Sequence, residues 1–334
     1  MATGVGSGDD RRSVLLIGGS GRIGTAVAAH LIRAEQKLPL RIVLSGRSAR
    51  RGREAIEEVV DDVGGWTTLQ RSGHHVEFQR LDLRDESALL ETFARTNYSA
   101  VVHTAGPFDN GPEVLRAAIQ AKVPAYCDVA DPMEYIEDAL KLGPKAKSAG
   151  TLALVAAGAF PGMSNLLALE GRDALRDRRV QNLSFNYFTA GLGGSGNINL
   201  LITNLGFGDP VCCVKNGEEC RELVAGGQAE VVDFGKGIGR VNTWSWPFPE
   251  GLTVSRHLGI QGSSRVAMGT APEIWNVIMS GMTDLLPRSL WRDATFSGGL
   301  ARFSEPLVAF TDKFVGETHA IRVDISSVQG LSPL

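Results

Sequence analysis

Residues Ser13 to Ile32 read "SVLLIGGSGRIGTAVAAHLI". The opening "VLLIG" is a short aliphatic run, the pattern of a strand buried on both faces of a parallel sheet. The closing "TAVAAHLI" sets small and aliphatic residues at helical spacing. Between them Gly19, Gly21 and Gly24 satisfy GxGxxG, and Gly18 adds a GxxGxxG register. Strand, glycine loop and helix in this order predict a dinucleotide site. One glycine allows the tight turn, one lets backbone approach a pyrophosphate, and one lets the helix pack close to the strand. The helix start, with Ser20, Arg22 and Ile23 around it, presents N–H groups and a positive dipole end to phosphates. The competing reading is a tight strand-to-helix turn that binds nothing.

The next strand reads "LRIVLSGR". An NAD site places Asp or Glu near its end to hold the ribose 2′-hydroxyl. Here stand Ser45, Gly46, Arg47 and Ser48, then Arg50 and Arg51, with no carboxylate. A planar, permanently charged guanidinium suits a 2′-phosphate. The expectation is NADP, with Arg47 the first choice of anchor; a solvated basic helix start is the alternative. "VEFQRLDLRD" places Asp82 where an adenine amino group is met, and "DESALLETF" after it has helix-start chemistry. "YSAVVHTAGPF" is another buried strand with a turn behind it. Ligands of open α/β sheets lie beyond the carboxyl ends of strands, so Thr104, Ala105, Gly106 and Pro107 are expected along the cofactor. His103 reads first as a hydrogen-bonded core histidine and second as a proton donor. "AYCDVAD" ends a further strand at Asp128, a candidate catalytic acid; Asp131 before Pro132 is either a cleft residue or a helix cap.

The chain has 334 residues, enough for two domains, expected at 1–150 and 151–334. Hydrophobic residues make up 43% and charged residues 21%, ordinary for a globular protein. A net charge of -3 gives no electrostatic case for nucleic acid or an anionic membrane. Cys127, Cys212, Cys213 and Cys220 show no CxxC spacing, and the vicinal pair cannot easily bridge; they read as free thiols of a reducing compartment. The start "MATGVGSGDDRR" lacks the apolar segment of a secretory signal. No run approaches the roughly 18 to 20 apolar residues of a membrane helix. The expected location is cytoplasmic, or a plastid or other organelle if a transit peptide has been removed.

"VVHTAGPF", "AYCDVAD" and "AGAFPGMSNLLA", with the glycine loop, resemble the saccharopine dehydrogenase-like (saccharopine reductase-type) NADP-dependent oxidoreductases. "FTAGLGGSGNINLLI", "GTAPEIWN" and "FVGETHAIRVDI" are similar to further blocks of that group, so the likeness runs from about Val14 to Ile325. The glycine loop alone is common to many families; the combination "AGPF…CDVAD…PGMSN" is much more specific. The resemblance implies an α/β fold, an N-terminal Rossmann doubly wound parallel sheet with a second α+β domain for substrate. It implies cofactor contacts at Gly19, Gly21, Ile23, Arg47, Asp82 and the Ala105–Gly106 turn. It leaves the substrate open among imines of the saccharopine type, polyamine conjugates and unsaturated lipid chains. Relatives continue past "HAIRVDISSVQG" with helix returning toward the first domain, whereas this chain stops at "LSPL".

The second half reads as a strand, a Gly/Pro turn and a helix in "TLALVAAGAFPGMSNLLALEGRDAL", with Ser164 and Asn165 as caps or as groups facing the cofactor end. "QNLSFNYFTA" has strand composition. "GLGGSGNINLLITNLGFGDP" reads as a loop leading into a short helix; Asn197, Asn199 and Asn204 are substrate candidates or turn formers. Short strands are expected at "PVCCVKNGE" and "AEVVDFG", with "KNGE" as a hairpin turn. "WSWPFPEGLTVSRHLGI" offers Trp244, Trp246, Phe248, Arg256 and His257 as a substrate wall with a carboxylate anchor, or as plain hydrophobic contact. Ile274, Ile278, Met279 and Met282 read first as a packing face, second as a lipid or dimer face.

Together these features predict an NADP-dependent oxidoreductase that moves hydride between NADPH and a C=N, C=O or C=C of a small-molecule or lipid substrate. His257 and Asp128 are the candidate catalytic residues, Asn199 and Arg256 the candidate substrate contacts, and a homodimer a further expectation. The alternative is a non-catalytic NADPH-binding protein that acts through a partner. A short-chain dehydrogenase needs Lys four residues after a Tyr; after Tyr98, Tyr126, Tyr135 and Tyr187 that residue is Val102, Ala130, Ala139 and Gly191. A zinc dehydrogenase needs a Cys/His ligand set, and the cysteine spacing offers none; no metal is expected.

Overall fold

Arg12–Ile17 forms strand β1, and its Val14 to Ile17 are buried. Its neighbours are β2 (Leu40–Gly46), β3 (His75–Arg80), β4 (Ala100–His103), β5 (Ala125–Asp128) and β6 (Leu152–Leu154). The sheet order is β3-β2-β1-β4-β5-β6 and every neighbouring pair is parallel. This is the doubly wound Rossmann order, in which direction reverses between β1 and β4. The helices are α1 (Arg22–Ala34), α2 (Ala49–Asp62), α3 (Trp66–Ser72), α4 (Glu86–Arg95), α5 (Glu113–Gln120), α6 (Met133–Leu140) and α7 (Gly143–Ala149). Alternate residues of β1 feed two cores, as the pleat requires. Val14 and Leu16 pack with Ala28, Ala29 and Val59, whereas Leu15 and Ile17 pack with Leu89, Phe93 and Leu115.

The computed structural model describes residues 11–109, 111–191, 197–227 and 229–327. The stretches "MATGVGSGDD" and "LSPL" and most of "GLGGSGN" therefore lie outside the described residues. The chain divides into two units, Met1–Ala157 and Gly158–Leu334. The sequence reading drew the boundary at 150, yet β6 completes the first sheet, so the division falls after it. A strand of three residues carries too little periodicity to be assigned to a sheet from sequence.

The second unit, taken by itself, holds β7 (Val180–Ala190), β8 (Pro210–Lys215), β9 (Glu218–Val224), β10 (Ala229–Asp233), β11 (Arg240–Ser245), β12 (Ser264–Ala271) and β13 (Thr318–Ser327). Its helices are α8 (Met163–Ala174), α9 (Asn197–Gly206), α10 (Glu250–Leu258), α11 (Ile274–Leu285), α12 (Arg288–Trp291) and α13 (Ala294–Val315). Five strands form a mixed sheet of order β10-β11-β12-β7-β13, with β7 and β12 parallel and the other pairs antiparallel. β8 and β9 form a separate hairpin. Its turn is Asn216-Gly217, both at positive φ (52° and 80°), as the two-residue "NG" turn demands.

Local chemistry fixed some helix starts as expected. Asp85 accepts the Ala88 N–H at 3.0 Å and caps α4. Two expected caps are corrected. Gly162 occupies the N-cap of α8 and Pro132 that of α6, and neither start has a side-chain cap bond. Ser164 is the second residue of the helix, where its hydroxyl reaches a buried carboxylate instead. The packing face expected on α11 is also corrected: none of its residues is buried, and Ile274 and Ile278 are exposed. α13 likewise exposes Phe303, Leu307, Phe310 and Phe314 along one stripe. A helical apolar stripe predicts that something covers it, not what does. No helix among the described residues is long and apolar enough to cross a membrane.

Candidate functional site

The glycine loop joins β1 to α1 at the point where the sheet reverses direction. Gly18 stands at φ +76°, and a Cβ there would lie 2.8 Å from the Ala105 backbone nitrogen. Its carbonyl accepts the Gly21 N–H at 2.9 Å and closes the turn. A Cβ on Gly19 would meet Leu16 and Leu44 backbone, and one on Gly24 would lie 2.5 Å from both the Gly18 carbonyl oxygen and the Gly19 Cα. These three glycines are required by the protein's own packing. Gly21 is different. Its φ is -88° and a Cβ would meet only the Gly18 oxygen, at 3.2 Å. The bare backbone there faces open space, as an approaching pyrophosphate needs. The start of α1 has no side-chain cap and no acidic residue in its first turn. Its unpaired N–H groups and dipole are left for an anion.

Two neighbouring strand ends close around this loop. The Ser20 N–H donates to the Ser45 carbonyl at 3.4 Å, and a Cβ on Gly46 would collide with the Ser20 hydroxyl. Ser45 itself is buried and its hydroxyl donates to the Leu16 carbonyl, so it builds the floor. Thr104 donates twice to the Ile17 carbonyl, from its N–H at 2.8 Å and its hydroxyl at 3.0 Å. This pins the Ala105–Gly106–Pro107 turn against Gly18, with a cis Gly106–Pro107 peptide. His103 is buried, its Nδ1 accepts the Ala105 N–H at 3.3 Å, and its ring packs on Phe108. Burial holds its pKa at about 3, so it is a neutral shaping residue and not a proton donor.

Arg47, Arg50 and Arg51 separate by their partners. Arg50 pairs with Glu54, and Arg51 with Glu54 and Glu58, along α2. Ser48 caps that helix by accepting the Arg51 N–H. Arg47 is exposed and enters no hydrogen bond among the described residues. It stands at the strand end with its guanidinium available. Asp82 is gripped by Arg84 through three hydrogen bonds, which with the nearby Arg47 charge bring its pKa to about 2. It is a fixed anion beside Arg47. Open backbone at Gly21, the uncapped helix start and the uncommitted Arg47 fit a dinucleotide with a 2′-phosphate. Arg47→Ala should lower NADPH affinity roughly 10- to 100-fold, the scale of a lost charge-assisted hydrogen bond, and leave NADH affinity unchanged, as read by calorimetry. Unchanged NADPH affinity would show the 2′-phosphate to be held elsewhere.

Asp128 has a different employment from the one expected of it. It is fully buried at the end of β5. Oδ2 accepts the hydroxyls of Tyr126 and Tyr135, each at 3.0 Å. Oδ1 accepts the Ala130 and Ala156 N–H groups at 3.2 and 2.8 Å, and its carbonyl takes the Ala157 N–H at 2.8 Å. Desolvation raises its pKa, and the same burial raises both tyrosines. The carboxyl is a strut that ties the exit of the first unit to its sheet.

The remaining candidates belong to the second unit. His257 and Arg256 are exposed in the last turn of α10. Arg256 makes a bidentate pair with Glu219, Nε at 2.5 Å and the terminal nitrogen at 2.7 Å, so it is no uncommitted carboxylate anchor. Asn199 is exposed on α9, while Asn204 is buried and donates to the Ser297 carbonyl as a structural group. Trp246 and Phe248 are core: Trp246 packs on Phe207, and Phe248 on Phe160 and Tyr187. Sequence reasoning missed Glu250, fully buried, whose Oε1 accepts Tyr187 at 2.6 Å and Ser164 at 2.8 Å. The available signal was a lone acid inside the apolar run "WPFPEGLTV".

Comparison with known proteins agrees with this geometry. Residues 14–154 match the family model described as the saccharopine dehydrogenase NADP binding domain. Among solved structures, apo saccharopine dehydrogenase (L-Glu forming) from Saccharomyces cerevisiae is 18% identical, with TM-score 0.50. The match covers 78% of this chain and 54% of the yeast chain, so this chain spans about half the length of that protein. A probable dehydrogenase from Thermotoga maritima is 14% identical over 77% of this chain and 68% of its own, with TM-score 0.40. No curated protein sequence matches. The glycine loop, the sheet order and the family match together identify residues 14–154 as an NADP-binding domain of the saccharopine dehydrogenase type.

Proposed function

We propose that the protein is an NADP-dependent oxidoreductase acting on a C=N, C=O or C=C of a small-molecule or lipid substrate. The observation that carries the reading is the cradle of Gly18 to Gly24, where three glycines are demanded by packing and Gly21 alone is left facing open space. Bound NADPH supplies the hydride; the protein supplies orientation and a proton source. On the protein side, Gly21 and the α1 N-terminus hold the phosphates, Arg47 selects NADP, and the Thr104–Pro107 turn flanks the cofactor. For the proton, exposed His257 is the better candidate than Asp128, whose oxygens are already engaged inside the fold. Arg256 and Asn199 remain our candidates for contacting substrate, Arg256 by exchanging Glu219 for a substrate carboxylate.

The test is NADPH absorbance followed against panels of imines, keto acids and enoyl lipids. Turnover with one class, lost in His257→Ala while NADPH affinity stays unchanged, supports the reading. Tight NADPH binding without turnover, together with a stable partner on pull-down, favours a non-catalytic NADPH-binding protein. The exposed apolar faces of α11 and α13 are the observation on that side; they also suit a homodimer. A cytoplasmic or organellar location and no nucleic-acid partner complete the proposal.

A further inference from the structure

Cys213 on β8 and Cys220 on β9 stand directly opposite each other across the antiparallel hairpin. Residues opposed in this way have Cα atoms about 4.5 to 5.5 Å apart, inside the roughly 4.4 to 6.8 Å that a disulfide accepts. The two thiols interact: burial, and after it Cys220, push the Cys213 thiol up to about 11. Cys213 is buried and Cys220 is half-buried, so a small reagent reaches Cys220 first. The hairpin holds this register from several sides. The Asn216-Gly217 turn sets it, and Val214, Asn216 and Gly217 donate N–H groups to Ser264, Ser263 and Gly262. α10 is seated so closely that a Cβ on Gly251 would lie 2.6 Å from the Cys212 carbonyl oxygen.

We propose that Cys213 and Cys220 form a reversible cross-strand disulfide, which makes the β8–β9 hairpin a thiol-oxidation site. The oxidant is a small disulfide of the glutathione type. Cys220 loses its proton to water and its sulfur attacks one sulfur of the small disulfide. A mixed disulfide forms, the small S–S bond breaks, and the departing sulfur leaves with the electron pair and takes up a proton. Cys213 then loses its proton and its sulfur attacks the Cys220 sulfur, expelling the second small thiol. Two protein thiols are oxidised by two electrons and one small disulfide is reduced to two thiols. The new bond locks the hairpin register, and with it Glu219, the neighbour of Cys220 and partner of Arg256. The inference is independent of the nicotinamide reading.

The full chain is equilibrated with graded ratios of reduced to oxidised glutathione, acid-quenched, denatured and labelled with a maleimide. The chain has four cysteines. Labelling is expected to fall by half under oxidising ratios and to recover fully under reducing ones. Trypsin cuts after Lys215, which puts the two cysteines on different peptides, and fragment sequencing of the linked pair distinguishes Cys213 from Cys212. Cys220→Ser should abolish the linked peptide, and Cys213→Ser should leave one glutathione on Cys220. Full labelling at every ratio, or a link through Cys127 or Cys212, overturns the proposal. The wild-type peptide map decides even where a variant fails to fold.

Discussion

Gly24→Ala is expected to damage both the fold and the cofactor site. The added methyl would lie 2.5 Å from the Gly18 oxygen and the Gly19 Cα, both backbone atoms that cannot rotate away. α1 must move off the loop by about 1 Å. Overpacking of this kind costs about 1 to 3 kcal/mol, read as a lower urea midpoint. The same shift moves the helix N-terminus away from the phosphates, and a displacement of about 1 Å in a preorganised site is felt on the order of a hundredfold. NADPH affinity should fall on that scale. Gly21→Ala is the control. Its methyl meets only one atom, at 3.2 Å, so stability should hold while NADPH binding weakens. If Gly21→Ala binds NADPH as the parent does, the pyrophosphate does not lie over that backbone.

Asp128→Ala is expected to cost about 3 to 5 kcal/mol of folding stability. It strands two backbone N–H groups and one tyrosine hydroxyl, since Tyr126 and Tyr135 still bond each other at 3.1 Å; each unpaired group costs ~1 to 3 kcal/mol, with entering water offsetting part. Urea unfolding measures it, and a loss under about 1 kcal/mol would show that the hydrogen-bonded strut carries little. The pH dependence has a definite sign. Burial raises the Asp128 pKa above its ordinary 3.8, so the folded state binds the proton more tightly than the unfolded chain. Its contribution is full below the ordinary value and is lost as pH rises through the folded pKa. Asp128→Asn removes this titration. The stability difference between parent and Asp128→Asn should therefore shrink as pH rises from about 4 into the weakly acidic range. Asp82 and Glu219, with lowered pKa values, act in the opposite direction in both proteins and cancel in the difference.

The same residues show where reading from sequence stops. Spacing alone did not separate Arg47, Arg50 and Arg51 after β2. The pairing of Arg50 and Arg51 with glutamates on α2 did. Asp128 looked like an acid at a strand end, beside a crevice. Its oxygens accept from Tyr126, Ala130 and Tyr135 close by and from Ala156, 28 residues on, contacts that its place at a strand end did not announce. Glu250 meets Tyr187 and Ser164 across 63 and 86 residues, beyond any local pattern. The Cys213–Cys220 pairing, by contrast, follows in unbroken register from the Asn216-Gly217 turn, and the bulge lies beyond it, between Val211 and Cys213.

What the sequence determined by itself was whatever rests on neighbours along the chain. Strand and helix periodicity, the glycines a tight turn requires, the absence of an acid after β2 and the "NG" turn are all of this kind, because sterics and hydrogen bonding act over a few residues. What only the tertiary structure decided was the fate of individual polar side chains. Asp128, Glu250 and Arg256 each meet partners far away in sequence, and a buried polar group such as Asp128 or Glu250 keeps the partners it has, since desolvation penalises leaving them unpaired.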